Sequence, residues 1–141
     1  MTGLAIANDR RAVAPRPPLG WSFLAVPDDT GSWAWPSLAQ SLKNQIIIIL
    51  KTRAGEQLMN PDFGAGLENY FHEPDGVVIR ARIRELIAES LAAWENRIVV
   101  DGVNVDASTV DARELLISIS YRATFNTEPQ VMALAMPLGG A

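Results

Sequence analysis

Between Thr52 and Pro74 the chain reads TRAGEQLMNPDFGAGLENYFHEP, which sets an Arg, three Glu, an Asp and the sequence's single His within one short stretch. Such residues can run acid–base chemistry. A glycosidase needs two carboxyls about 5 to 9.5 Å apart across a sugar-sized cleft, one with a raised pKa. Glu68, Glu73, Asp75 and Glu95 are the candidates. Glu73 and Asp75, however, flank Pro74 at a helix entry, where the helix dipole favours acids without any catalytic role. His72 stands beside Glu73 with no second His and no H-E-x-x-H spacing, so half a metal site is all it offers. Asp62-Phe63-Gly64 carries the letters of the kinase metal-binding motif, but the glycine-rich loop, strand lysine and catalytic loop are missing. Neither a Ser-His-Asp arrangement nor a phosphate loop occurs. No catalytic, cofactor-binding or metal-ligating residue is expected.

The same stretch has a plainer reading. AGE, NPDFGAG and EPDG are three chain reversals in quick succession, linking three helices. Arg53 is expected in the last turn of the preceding helix and Gly55 as its left-handed cap. Pro61, Gly64, Glu73 and Pro74 turn the chain, while Phe63, Leu67, Tyr70 and Phe71 plug the gap. These residues describe a rigid corner.

The elements around the corner follow from periodicity. A helix is predicted to begin near Pro36-Ser37, with Ser37 and Gln40 spaced as a capping box and Leu38, Leu42, Ile46 and Ile49 on one face. The IIIIL run alone also fits a buried strand; its polar flanks favour helix. A short helix is expected from Gly64. The clearest helix spans Val77 to Glu95, with Ile79, Ile83, Leu86, Ile87, Leu91 and Trp94 as its apolar stripe, and Arg82 placed to pair with Glu85. Asp75 or Gly76 opens it and Asn96 can close it. The period then changes to two. Arg97–Val105, Glu114–Phe125 and Gln130–Leu138 read as strands. In the middle one, Leu115, Ile117, Ile119, Tyr121, Ala123 and Phe125 face a core, opposite Ser118, Ser120, Arg122 and Thr124. The fold class is α+β: helices first, then a C-terminal antiparallel three-stranded sheet packed on them.

The 141 residues are read as a flexible arm over 1–20 and a single domain over 21–141, opening with a short strand at Trp21–Val26. A net charge of −4 argues against nucleic acid. The longest apolar run, Ile46–Leu50, is far short of a membrane span. With no cysteine, a disulfide framework is excluded. Hydrophobic residues make up 48% of the chain, which fits either a generous core or apolar surface covered by partners.

At AWENRI, Glu95 and Arg97 bracket the change from helix to strand. If the chain is extended there, residues two apart share a face and set an acid beside a base. The alternative is a helix-end Glu and an Arg that satisfies terminal carbonyls.

Four blocks together resemble the baseplate wedge proteins of contractile phage tails and injection systems, a family sometimes labelled lysozyme-like. SLKNQIIIILKTRAGEQLMNPDFGAGLENYFHEP is similar to the family's helix followed by T-R-x-G, P-x-F-G and a closing F-E-P. AWENRIVVDGVNV resembles its helix-end E-P-R motif and strand, with Asn96 in place of proline. LLISISYRATF with the last apolar strand resembles its final sheet, and GWSFLAV a common opening.

The resemblance implies a non-enzymatic structural part whose sheet is like the inner domain of tail sheath subunits. It implies that Glu95, Asn96 and Arg97 dock the helical bundle of other wedge proteins. It further implies that the last strand, with Val131, Ala133, Ala135 and Leu138, is shared with the first sheath ring. An apolar edge strand left open would be an aggregation hazard, so pairing is physically consistent. Spike or hub and inner tube proteins are further implied neighbours. The expected location is the baseplate of an assembled particle, made in the bacterial cytoplasm, with a peptidoglycan-cleaving glycosidase as the alternative.

Overall fold

The structure, a computed structural model, describes residues 27, 29–33, 35–70, 72–111 and 113–137. The expected arm, the Trp21–Val26 strand, Phe71 and Leu138 lie outside the described residues.

The chain divides into two compact units, residues 1–41 and 42–141. In the first, Pro27 and Trp33 form an isolated antiparallel bridge, and Gly31 takes φ +77 in the turn between them. Ser37 then starts α1 (Leu38–Lys51): its hydroxyl accepts from the Gln40 N–H at 3.2 Å, and its carbonyl from the Ser41 N–H at 2.9 Å. One orphan donor of the first turn is thereby satisfied.

In the second unit α1 buries Leu42, Ile46, Ile49 and Leu50, so the IIIIL run is helical. Helix α2 (Val77–Trp94) buries Ile83, Ile87 and Leu91 and keeps Arg82, Arg84, Glu85 and Glu89 exposed. Strands β1 (Ile98–Ala107), β2 (Glu114–Ala123) and β3 (Asn126–Pro137) form an antiparallel sheet in the order β1-β2-β3. Leu115, Ile117, Ile119, Tyr121 and Ala123 of β2 join Val103 and Val105 of β1, and Met132 and Met136 of β3, in one core with both helices. The α+β architecture matches the expectation.

Several details differ from it. Helix α1 stops at Lys51, two residues before Arg53. The reason is a competing donor: the returning chain's Ala65 N–H bonds the Ile49 carbonyl at 3.0 Å, and the Arg53 N–H turns to Glu56 Oε2 at 3.0 Å. Gly55, at φ +86, therefore serves the following turn and not the helix end. The short helix is one 3-10 turn, Leu67–Tyr70. Phe125 leaves the apolar face, because β2 ends at Ala123 after a register shift and the aromatic ring lies half-exposed in the hairpin turn. Helix α2 is closed by Glu95, not Asn96.

Candidate functional site

The end of α2 and the start of β1 place the acid and base together. Glu95 has left the helix, with φ −127 and ψ 88, while its N–H still donates to the Leu91 carbonyl at 3.0 Å. With the chain extended, the Glu95 and Arg97 side chains meet. Arg97 Nε donates to Glu95 Oε1 at 2.8 Å and Arg97 Nη2 donates to Oε2 at 2.7 Å, a bidentate fork. The Arg97 backbone N–H adds a third bond to Oε1 at 3.1 Å. Asn96 is exposed between them.

Burial differs sharply across this pair. The Glu95 side chain is 4% exposed and that of Arg97 41%. Burial pushes the Glu95 carboxyl up, but the Arg97 guanidinium and the backbone N–H together outweigh it and hold it below its ordinary value. The same contact raises Arg97. The pair is thus a fixed, charged unit with its acid inside and its base at the surface. A groove of about 560 Å³ runs beside it, lined by Ala88, Ala92, Glu95, Ile98, Val100 and Gly102 among others.

Two features that sequence reasoning missed brace this junction. The Phe63 ring, 7% exposed, packs edge-on against Trp94 with centroids 5.2 Å apart and planes at 65°. The corner therefore reaches the residue before Glu95. From the other side, the Thr124 N–H donates to the Arg97 carbonyl at 2.8 Å. A second bidentate pair, Arg122 with Asp101 (Nη2 to Oδ1 2.8 Å), forms where β1 shifts register between Val100 and Gly102. The Asp-Gly inside a strand pattern was the available signal for that irregularity.

The corner residues divide by role. Leu67 is buried, Gly55 N–H donates to the Pro61 carbonyl at 2.7 Å, and Arg53 is ion-paired with Glu68. Gly64 has φ +109, and a Cβ there would overlap the Thr52 carbonyl oxygen, so no other residue fits without a shift. Glu73 and Pro74 are exposed. His72 is exposed too, and shares a shallow depression with Arg53, Gly66, Glu68 and Asn69. On β3, Val131, Ala133 and Ala135 point away from the core and are exposed. Among the described residues no group of three or more Asp, Glu, His or Cys could hold a metal ion. No helix among them is long and apolar enough to cross a membrane.

Residues 36–129, which hold α1, the corner, α2, the Glu95–Arg97 junction and most of the sheet, match the family described as baseplate wedge protein gp25. The chain belongs to this family. Solved structures with a similar fold are found as well. A provisionally named tail lysozyme of Geobacter sulfurreducens is 26% identical with a TM-score of 0.71, over 78% of this chain and 99% of that one. A chain of the baseplate complex from the type VI secretion system is 16% identical with a TM-score of 0.59, over 73% of this chain and 95% of that one. A chain of the anti-feeding prophage baseplate is 16% identical with a TM-score of 0.58, over 87% and 88%. These two establish likeness of fold. No curated protein matches the sequence. As a gp25-family baseplate wedge protein, the chain is a component of the baseplate of a phage tail or contractile injection system.

Proposed function

We propose that this wedge protein is a non-enzymatic adaptor between the helical bundle of other wedge proteins and the first sheath ring. The observation that carries the reading is the Glu95–Arg97 fork. It presents a half-exposed guanidinium held rigidly by a buried carboxylate, at the end of a helix and beside an open groove. Such a base is pre-organised to meet an acidic group on a partner helix. The Arg53–Pro74 corner, which touches Trp94 through Phe63, fixes that junction relative to the rest of the unit. Strand β3 forms one edge of the sheet and exposes Val131, Ala133 and Ala135, which suits strand sharing with a sheath subunit. Synthesis and assembly take place in the bacterial cytoplasm on this reading, and spike, hub and inner tube proteins are neighbours in the assembled particle.

The lysozyme label of one relative is not carried over. Glu68, Asp75 and Glu95, three of the four candidate carboxylates, are each paired with an arginine. Asp75 and Glu95 are held below their ordinary values, the opposite of what a general acid requires.

The test is co-expression with the wedge proteins of the same particle, followed by pull-down of wild type and Arg97→Glu. Wild type should form a stable complex and the charge reversal should lose it, at a temperature where a thermal melt shows the variant, destabilised by its unpaired Glu95, to be still folded. Equal capture would move the contact away from Arg97. Clearing of cell-wall suspensions by purified wild type would overturn the non-enzymatic reading.

A further inference from the structure

Beyond α1 the chain makes a loop whose tip the fold does not use. The Asn60 N–H donates to the Gln57 carbonyl at 3.3 Å, which makes Leu58 and Met59 the two central residues of a β-turn. Small and polar residues ordinarily fill those positions. Here both are large and apolar, and they are 98% and 91% exposed. Single exposed apolar side chains are unremarkable, but an adjacent pair on a projecting tip is an anchor without a socket.

The tip is also held still. Gly55 N–H to the Pro61 carbonyl at 2.7 Å closes the neck, Glu56 Oε2 accepts from the Arg53 N–H, and the Phe63 N–H donates to the Asn60 carbonyl at 3.0 Å. Phe63, clamped on Trp94, anchors the base. A pre-ordered loop loses little entropy when it docks.

Charge narrows the choice of partner. Between Arg53 and Arg80 the sequence has no Lys or Arg, and it carries Glu56, Asp62, Glu68, Glu73 and Asp75. Glu68 is matched by Arg53 and Asp75 by Arg80, while Glu56 and Asp62 are exposed on either side of the tip. We infer that the Leu58–Met59 tip inserts into an apolar pocket with a basic rim on another protein of the same baseplate. This rests on the baseplate reading above. Two side chains are too little for a whole interface, which buries about 800 Å² per partner, so the tip acts as an anchor within a larger contact. The acidic flanks disfavour an anionic membrane surface as the occupant.

The experiment measures the affinity of the purified full chain for the reconstituted remaining baseplate proteins. It compares wild type, Leu58→Ser/Met59→Ser and Asp62→Asn, with thermal melts of each. The double variant should melt like wild type and bind about a hundredfold more weakly or worse. Asp62→Asn should flatten the salt dependence of binding. Wild-type and double-variant affinities that agree would overturn the anchor and leave the baseplate reading standing, since wild type still assembles. Failure of wild type to bind at all would remove that reading and the anchor with it. Wild type that dimerises alone through Leu58 and Met59 would assign the tip to a second copy instead. Flotation of wild type, but not the double variant, with anionic vesicles would assign it to lipid. Either result would overturn the proposal.

Discussion

Two arginine–carboxylate pairs, one on α2 and one just past its end, look alike in chemistry and differ in consequence. Arg82 and Glu85, one turn apart on the outer face, lie 2.8 Å apart with both side chains more than half exposed. Arg97 and Glu95, just past the helix end, are 2.7 Å apart, but the carboxylate is buried. Water screens the first pair and competes for both partners, so it adds little to stability. In the second, the acid has already left water, and its guanidinium and backbone donors are what make that burial tolerable. Distance alone would rank the pairs as equals; burial separates them.

The sharpest way to test that contrast is to remove one base from each. Arg97→Ala should cost about 2 to 4 kcal/mol in urea unfolding, because Glu95 is left buried without its main partner. The half-exposed guanidinium keeps the figure at the lower end of what a fully buried pair would show. A loss under 0.5 kcal/mol would put the two pairs in the same class.

Acid offers a second route. The folded-state pKa of Glu95 is depressed, so its stabilising share is present above the unfolded carboxylate range near pH 4. That share is lost as pH falls through the folded value. Stability measured from pH 6 to pH 2 should therefore fall less steeply in Glu95→Gln than in wild type. Parallel slopes for wild type and Glu95→Gln would break the assignment.

A smaller effect is expected from Asn96→Pro. Proline disfavours helix in the residue before it, and Glu95 is already extended. Stiffening the unfolded chain should then add about 0.5 kcal/mol and leave the fork intact. A loss above 1 kcal/mol would mean that Asn96 supplies more than a permissive backbone. The smallest effect should come from Arg82→Ala, within about 0.5 kcal/mol in the same unfolding assay.

The fork itself was legible at the level of spacing. Acid and base two apart can meet if the chain is extended, and the sequence left open whether it was. The structure decides the geometry through the φ and ψ of Glu95. Strong periodicities carried over well: the α2 stripe and the alternation of β2 from Leu115 to Ala123 appear as written. Boundaries set by partners did not. Strand β3 begins at Asn126, through Thr127, Glu128 and Pro129, residues that have weak strand patterning and are held there by the hairpin and by pairing of Pro129 with Arg122. Helix α1 ends early because Ala65, distant in sequence, captures the Ile49 carbonyl. The Leu58–Met59 tip passed unnoticed for a similar reason. Two apolar residues among polar ones give no period, and only the loop's hydrogen bonds reveal that they project.

The antiparallel pairing of β3 with β2 runs in register from Pro137 against Glu114 to Pro129 against Arg122. Such a ladder has direction-dependent strength. A tug along the axis of β3 strains its inter-strand bonds simultaneously, and they must fail together; a tug across the strand peels them one pair after another. If a contracting assembly hauls on this edge, the orientation of the grip decides whether the hairpin behaves as a tow-line or as a zipper.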